Sequence, residues 1–492
     1  MNPVSPMRMP QHKTKIVATI GPASETPEML ERLIRAGMTV ARLNFSHGDF
    51  SGHRERIARL RAAEAAVGRR VAIMADLPGP KMRVGRIDPE PVELKPGADF
   101  TLTSEEVVGT AERVSMSFEP LPRVVKRGDR LYLNDGLIQL VVDRVDGRDV
   151  RCQVAVGGEL RSKKGLNLPG IDLGITAFTP HDRDCLEFAL REGVDAVSQS
   201  FVERASDLEA VRRAARELGG NPFVIAKIER SGALVHLEEI LDAADGVMVA
   251  RGDLGVEVPI EEIAMTQKRL IARANLAGKP VITATQMLES MVASRLPTRA
   301  EATDVANAIL DGTDAIMLSA ESAVGRFPIE SVEMLARIAA ATEPQRVPAR
   351  LETLRALCGK APTWNAVEAF ASVVEHALRN VPCAAVLVPT RTGTTARMIS
   401  RHKPGVWVVA TIADRAVGQA LAFSYGVHPL EMTEEPEDWR AFADDWLEKE
   451  GVPGDIAILV AGPSSRHPNA NHRLEFLRLD ATERHPFHAI ST

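Results

Sequence analysis

The chain has 492 residues, of which 45% are hydrophobic and 26% charged, with both signs interspersed and a formal net charge of −6. That length is too great for one core, so two to four domains are expected. The charge balance lacks the basic face a nucleic-acid partner would require, and no apolar run approaches the length of a membrane span.

Residues 1–13 lack the apolar centre of a secretory signal and read as a loose arm. From Lys15 onward, short β-rich runs alternate with amphipathic helical stretches. The runs are KIVATIG, TVARLNFSH, VAIMADL, AVSQSFV, FVIAKIE, GVMVARGD, VITATQM and AIMLSAE. Eight strand–helix units predict a (β/α)₈ barrel over residues 14–79 and 177–345. Residues 80–176 interrupt it with turn-punctuated β sequence, in which Asp135-Gly136 and Asp146-Gly147 signal hairpins. This insertion is expected to form a small β lid on the barrel's C-terminal rim. Residues 346–492 begin with the helical run WNAVEAFASVVEHALRN and then alternate strands (CAAVLVPT, VWVVATI, VHPLEM, IAILVAG) with helices, as in an open α/β domain. Cys152, Cys185, Cys358 and Cys383 form no C-x-x-C pair and read as reduced structural thiols in a cytosolic protein.

Polar residues collect at the predicted C-terminal ends of the strands, where such barrels carry their active sites. In ARLNFSH, Arg42, Asn44 and Ser46 alternate with Leu43 and Phe45, so the three polar groups share one face. Lys227 and Glu229 are two apart and share a face as well. Asp253 follows the next strand in ARGDLG, just before a helix. Two carboxylates and an ammonium at strand ends suit a divalent cation holding a phosphorylated substrate.

The run FVIAKIERSGALVHLEEILDAADGVMVARGDLGVE resembles the signature region of pyruvate kinases. RLNFSHG, SKKGLNLPG and ATQMLESM followed by PTRAEATDVANA are similar to the family as well, and the resemblance extends along essentially the whole chain. It implies phosphoryl transfer from phosphoenolpyruvate to ADP in a cytoplasmic homotetramer, with Mg²⁺ (or Mn²⁺) held by Glu229 and Asp253. By the same resemblance Arg42 binds the substrate phosphate, and Lys227 neutralises charge on the phosphoryl group in flight. The Gly252 and Asp253 amides and the Thr285 hydroxyl take the substrate carboxylate. Asn44, His47, Arg83 and Lys164 contact the nucleotide. Thr285 with a water, relayed through Ser319 or Glu321, is the expected route of the proton to the enolate, and the sequence does not identify the donor. Arg299 and Glu301 resemble a subunit-interface segment.

Asn44, Ser46 and Asp76 resemble a monovalent-cation site, but the chain departs from the common pattern in DLPGPKMR. Lys81 stands where many relatives carry an acid, with Leu77 and Pro78 beside it. Sharing a strand face with Arg83, the Lys81 ammonium would supply the charge of K⁺ without an ion, so K⁺ is not expected to be required. In the C-terminal region, Thr390-Arg391-Thr392-Gly393-Thr394-Thr395 links a strand to a helix and resembles an effector phosphate loop, with Arg397 one turn in. The late loop GPSSRHPNANHRLEF departs from the usual ending, so the effector is not assigned. Two rival readings stand beside this one: a Mg²⁺-dependent barrel lyase or mutase acting on an enolate, and a non-catalytic sensor of phosphorylated metabolites.

Overall fold

The computed structural model describes residues 8–346, 366–462 and 472–479. Residues 1–7 of the expected arm, Cys358 and most of the late loop therefore lie outside the described residues.

Eight parallel strands close a barrel: β1 (Lys15–Thr19), β2 (Val40–Asn44), β3 (Ala72–Leu77), β4 (Ala196–Gln199), β5 (Phe223–Ile228), β6 (Gly246–Ala250), β7 (Val281–Ala284) and β8 (Ala315–Leu318). β1 pairs with both β2 and β8, which completes the ring. Both faces of each strand are covered, as parallel sheets require. Val17, Val40, Met74, Ile225, Met248 and Met317 fill the interior, while Ile16, Leu43, Ile73, Val224 and Val247 pack outward under the helices. The helices start where the sequence provides caps. Thr26 accepts the Met29 amide ahead of Pro27–Ala36, and reciprocal capping boxes open Pro180–Arg191 (Thr179/Asp182) and Arg299–Asp311 (Thr298/Glu301).

After β3 the chain leaves the barrel to build a six-stranded sheet and a two-stranded ribbon. These surround their own core, which includes Phe100, Leu131, Leu140 and Val142. Both anticipated hairpins are present: Leu133 pairs with Ile138 around Asp135-Gly136, and Asp146 pairs with Asp149 around Gly147. Past the barrel, four parallel strands and an antiparallel edge strand (Arg473–Arg478) form a separate five-stranded sheet. Cys152 and Cys185 are buried, and burial pushes both thiols up to about 12, which leaves them unreactive. No helix among the described residues is long and apolar enough to cross a membrane.

The C-terminal unit closes the N-terminal end of the barrel. Phe423 joins the barrel's interior cluster and stacks on Phe223, with centroids 5.2 Å apart and planes 6° from parallel. Beside it Asp314, just before β8, receives the Val281 and Tyr425 amides on its carboxylate and pairs with Lys403 at 2.7 Å. Both members of this ion pair are buried.

Candidate active site

The polar residues meet at the C-terminal mouth of the barrel. Asp76, at the end of β3, is their centre. Its Oδ2 accepts Arg42 Nε (3.1 Å) and Nη2 (2.5 Å), and its Oδ1 accepts Ser198 Oγ at 2.7 Å. The register explains this meeting, because Asp76 lies level with Asn44 on β2 and Ser198 on β4. Arg42 also donates to Thr19 Oγ1 (2.9 Å), which fixes the guanidinium against β1. Burial alone would raise the Asp76 carboxyl, but Lys227 and Arg42 hold it well below the usual carboxylate range.

Lys227 and Glu229 do project to one side. The Lys227 Nζ lies 2.8 Å from Glu229 Oε1 and 3.3 Å from Asp76 Oδ1, and it donates to Ser200 Oγ at 2.7 Å. Burial opposes charge on this lysine; Asp76 and Glu229 outweigh it and raise the ammonium to about 12. Lys227 is thus a fixed cation. Glu229 keeps its other oxygen on the Phe201 amide (2.7 Å).

ARGDLG is not a loop ahead of a helix. It is the start of the helix Arg251–Glu257, so Gly252 and Asp253 sit in its first turn. Burial raises the Asp253 carboxyl, Lys227 and Lys81 oppose the rise, and the lid's Asp135 adds to it. Burial likewise raises Glu229, with Asp253 contributing. A buried and a half-buried carboxylate that repel one another form the donor set that a hard divalent cation relieves. Among the described residues no group of three or more His, Cys, Asp or Glu forms a metal cage. Glu229 and Asp253 are the residues that would hold such a cation, and a hard oxygen-binding ion such as Mg²⁺, which needs few protein carboxylates, would fit this donor pair.

Thr285, just past β7, adopts a left-handed backbone with φ of 68°, and Gln286 follows at 52°. For a β-branched residue this conformation is strained. Arg251 holds the turn: its Nη2 donates to the Thr285 carbonyl (2.7 Å), while Nη1 spans both Asp304 oxygens at 2.8 and 2.7 Å. The result is that Thr285 Oγ1 accepts the Gly252 amide at 2.8 Å. Ser319 and Glu321 lie at the end of β8, where both Glu321 oxygens are taken by the Leu288 and Ser319 amides.

Other predicted residues enter differently. β2 ends at Asn44, so Ser46 and His47 lie in the turn beyond it, and Asn44 Oδ1 accepts the Ser46 amide. Lys81 is not in a strand, yet its Nζ reaches Ser46 Oγ at 2.5 Å. Burial lowers Lys81, reinforced by Lys227 and offset by Asp76. His47 is lowered by burial and then by Lys81, Arg83 and Arg42, which shows how closely these cations gather. Arg83 Nη1 donates to the Lys163 carbonyl (2.8 Å), and the Lys164 carbonyl accepts the Val84 amide, so the two crossings between barrel and lid are tied together. The lid reaches the site through Asn167, whose side chain lowers the Asp253 carboxyl, and through Gly136, whose turn lies against Val256. Sequence reasoning missed Thr19, Ser198, Ser200, Asn167 and Arg251. The polar letters of SQS within a barrel strand were the available signal for the two serines.

The loop Thr390–Thr395 is not part of this assembly. Its Gly393 amide is held by Thr390 Oγ1 (3.0 Å), and Thr392 and Thr394 bond each other at 2.9 Å.

Comparison with known proteins agrees with this geometry. Residues 11–332 match the family model described as pyruvate kinase, barrel domain, and residues 368–472 match pyruvate kinase, alpha/beta domain. The pyruvate kinase of Thermococcus litoralis is 49% identical over 429 residues, covering 87% of this chain and 90% of that protein. That of Geobacillus stearothermophilus is 42% identical over 459 residues, covering 92% and 78%. The crystal structure of a pyruvate kinase from Cryptosporidium parvum superimposes with a TM-score of 0.87 at 36% identity, covering 96% of this chain and 97% of that one. With both parts of the chain matched and the polar cluster at the barrel mouth, the chain belongs to the pyruvate kinase family, phosphotransferases that convert phosphoenolpyruvate and ADP to pyruvate and ATP.

Proposed function

We propose that the cluster around Asp76 and Lys227 is the phosphoryl-transfer centre, with the roles divided as follows. Arg42, anchored on Asp76 and Thr19, binds the phosphate of phosphoenolpyruvate. Lys227 lies against the transferring group and offsets its charge, as phosphoryl transfer demands mostly positioning and electrostatics. The Gly252 and Asp253 amides and the Thr285 hydroxyl hold the carboxylate. Glu229 and Asp253 would hold Mg²⁺ (or Mn²⁺), which would supply positive charge to the phosphoryl group and the enolate. Asn44, His47, Arg83 and Lys164 take the nucleotide under the lid. Thr285 and a water return the proton to the enolate. Both Glu321 oxygens accept amides, those of Leu288 and Ser319, which fixes the carboxylate just past β8, where it or Ser319 relays that proton.

The family generally uses K⁺ alongside Mg²⁺. In this chain Lys81 supplies the monovalent charge, supported by its contact with Ser46 and its proximity to Asp76. The Thr390–Thr395 loop is read as the cradle of a phosphorylated allosteric effector. Cytoplasmic location and a homotetramer, with Arg299 and Glu301 near a subunit contact, complete the reading. The observation that carries it is the buried, fully charged Lys227 between Asp76 and Glu229. The test is pyruvate and ATP formation from phosphoenolpyruvate and ADP with Mg²⁺, against the same assay without metal. A protein inactive under all metal conditions would return the chain to the sensor reading, and turnover of an enolate without ADP would favour the lyase.

A further inference from the structure

Arg230 follows Glu229 at the end of β5 and has no part in the cluster around Asp76. Its backbone is extended (φ −120°, ψ 148°), so its side chain points away from those of both neighbours. Glu229 faces the barrel mouth, and Arg230 turns from it. The chain is fixed on both flanks: the Glu229 carboxylate takes the Phe201 amide, and Glu257 accepts the amide and hydroxyl of Ser231 at 3.2 and 3.0 Å. Arg230 is thus a cation on a rigid mount, and its side chain is only 7% exposed. A guanidinium so buried needs partners for its charge and its donors.

It has two, from different parts of the molecule. Nη1 pairs with Glu203 Oε2, just past β4, at 3.0 Å. Nη2 donates to the Ile171 carbonyl at 2.6 Å. Ile171 lies in the second crossing between lid and barrel and packs on the lid's core, where Leu166, Leu168 and Leu173 of the same run are buried. Holding this carbonyl therefore holds the lid. The sequence makes room for the arrangement at Gly232, where an added Cβ would collide with Glu203 Oε1. The same crossing carries Lys164 and Asn167, the latter acting on the Asp253 carboxyl. Lys164, Asn167 and Ile171 are spaced three and four residues apart, so one short stretch of chain places all three. A hydrogen bond from a charged, buried donor is strong and directional, which suits it to fix that stretch.

We propose that Arg230 is a positioning residue for the nucleotide half of the reaction: its grip on the Ile171 carbonyl sets the second crossing so that Lys164 stands over the barrel mouth. The proposal rests on reading Lys164 as a nucleotide contact. The residues assigned to phosphoenolpyruvate all belong to the barrel, so loosening the grip separates the two substrates.

The test is steady-state kinetics with each substrate varied in turn, and amide hydrogen exchange as a readout independent of activity. Arg230→Gln should raise KM for ADP about tenfold or more, as expected for losing a hydrogen bond from a charged group, while KM for phosphoenolpyruvate changes less than about twofold. Arg230→Lys, which keeps one charged donor, should restore part of the loss. Gly232→Ala removes no polar group but pushes Glu203 aside; it should give a smaller rise of the same kind, and it carries the test if Arg230→Gln does not fold. Amides between residues 165 and 174 should exchange faster in these variants, with those of the barrel strands unchanged. Lys164→Gln is the control for the underlying reading. A raised KM for ADP in Lys164→Gln but not in the Arg230 and Gly232 variants overturns the grip alone. An unchanged KM for ADP in all of them overturns the nucleotide reading and the proposal with it. Equal rises for both substrates, or no recovery with lysine, also overturn it and leave Arg230 a structural prop.

Discussion

At the scale of single residues, charge placed in a dry cluster governs the chemistry. Lys227 is kept protonated by two carboxylates inside the barrel, where no counter-ion from solvent can replace it. Lys227→Met should fold, since the methionine stem fills the same space, and should lower kcat by about two to four orders of magnitude. Near wild-type turnover in the folded variant would remove Lys227 from the mechanism. Lys81 gives a second expectation. With its ammonium at Ser46, added K⁺ meets an existing positive charge and should activate little. The assay uses tetramethylammonium salts at fixed ionic strength, followed by KCl. Lys81→Glu should lose activity without K⁺ and regain part of it with K⁺, the rescue limited by Leu77 and Pro78 beside it. Many-fold activation of the wild-type enzyme by K⁺ would falsify the substitution.

At the scale of elements, the site depends on how strand ends and turns are held. Thr285 pays for its place with a left-handed backbone clamped by Arg251. Thr285→Gly relieves a strain of about 1–3 kcal/mol but loses the bond to the Gly252 amide and adds glycine's chain entropy, so the two effects roughly cancel. The melting temperature should change little while kcat/KM falls more than tenfold. A variant that is markedly less stable yet active would show that the threonine serves the turn rather than the substrate. The same elements show what is readable in a sequence. The eight strands were legible because each is a short apolar run bounded by breakers, and the shared face of Lys227 and Glu229 follows from the two-residue period alone. Arg42 meeting Asp76 was not legible, because it depends on the register between β2 and β3, a long-range property. Nor was the helical start at Arg251, since two glycines in RGDLGVE argue for a loop until packing overrides them. Asn167 reaches Asp253 from a lid more than eighty positions away in the chain, and only the folded hinge brings them together.

At the scale of the whole molecule, the junction between the barrel and the C-terminal unit is where acid should act first. His402 is buried and His428 half-buried, and they are lowered to about 4 and about 3: the first by loss of solvent and then Arg401 and Arg379, the second by loss of solvent and then Lys15 and Arg69. Their folded values lie below the unfolded value of about 6.5, so the unfolded chain takes up protons that the native one refuses. Stability is therefore undiminished above that value and declines as pH falls toward 4, by about 1.4 kcal/mol per unit for each histidine. Thermal melting at pH 7.5 and pH 5 should show a fall that His402→Gln and His428→Gln reduce; an equal fall in the double variant would assign acid sensitivity elsewhere. The Phe423 ring stacked on Phe223 has another bearing, on how this chain can be divided. The C-terminal unit stoppers the barrel from below, and Lys403 answers the Asp314 charge at the same joint. A barrel expressed alone would expose the lower end of its packed interior to water and strand that carboxylate, so residues 1–346 by themselves should aggregate. Co-expressed with residues 366–492, the same fragment should be recovered as a tight noncovalent pair, the second piece acting as a chaperone for the first.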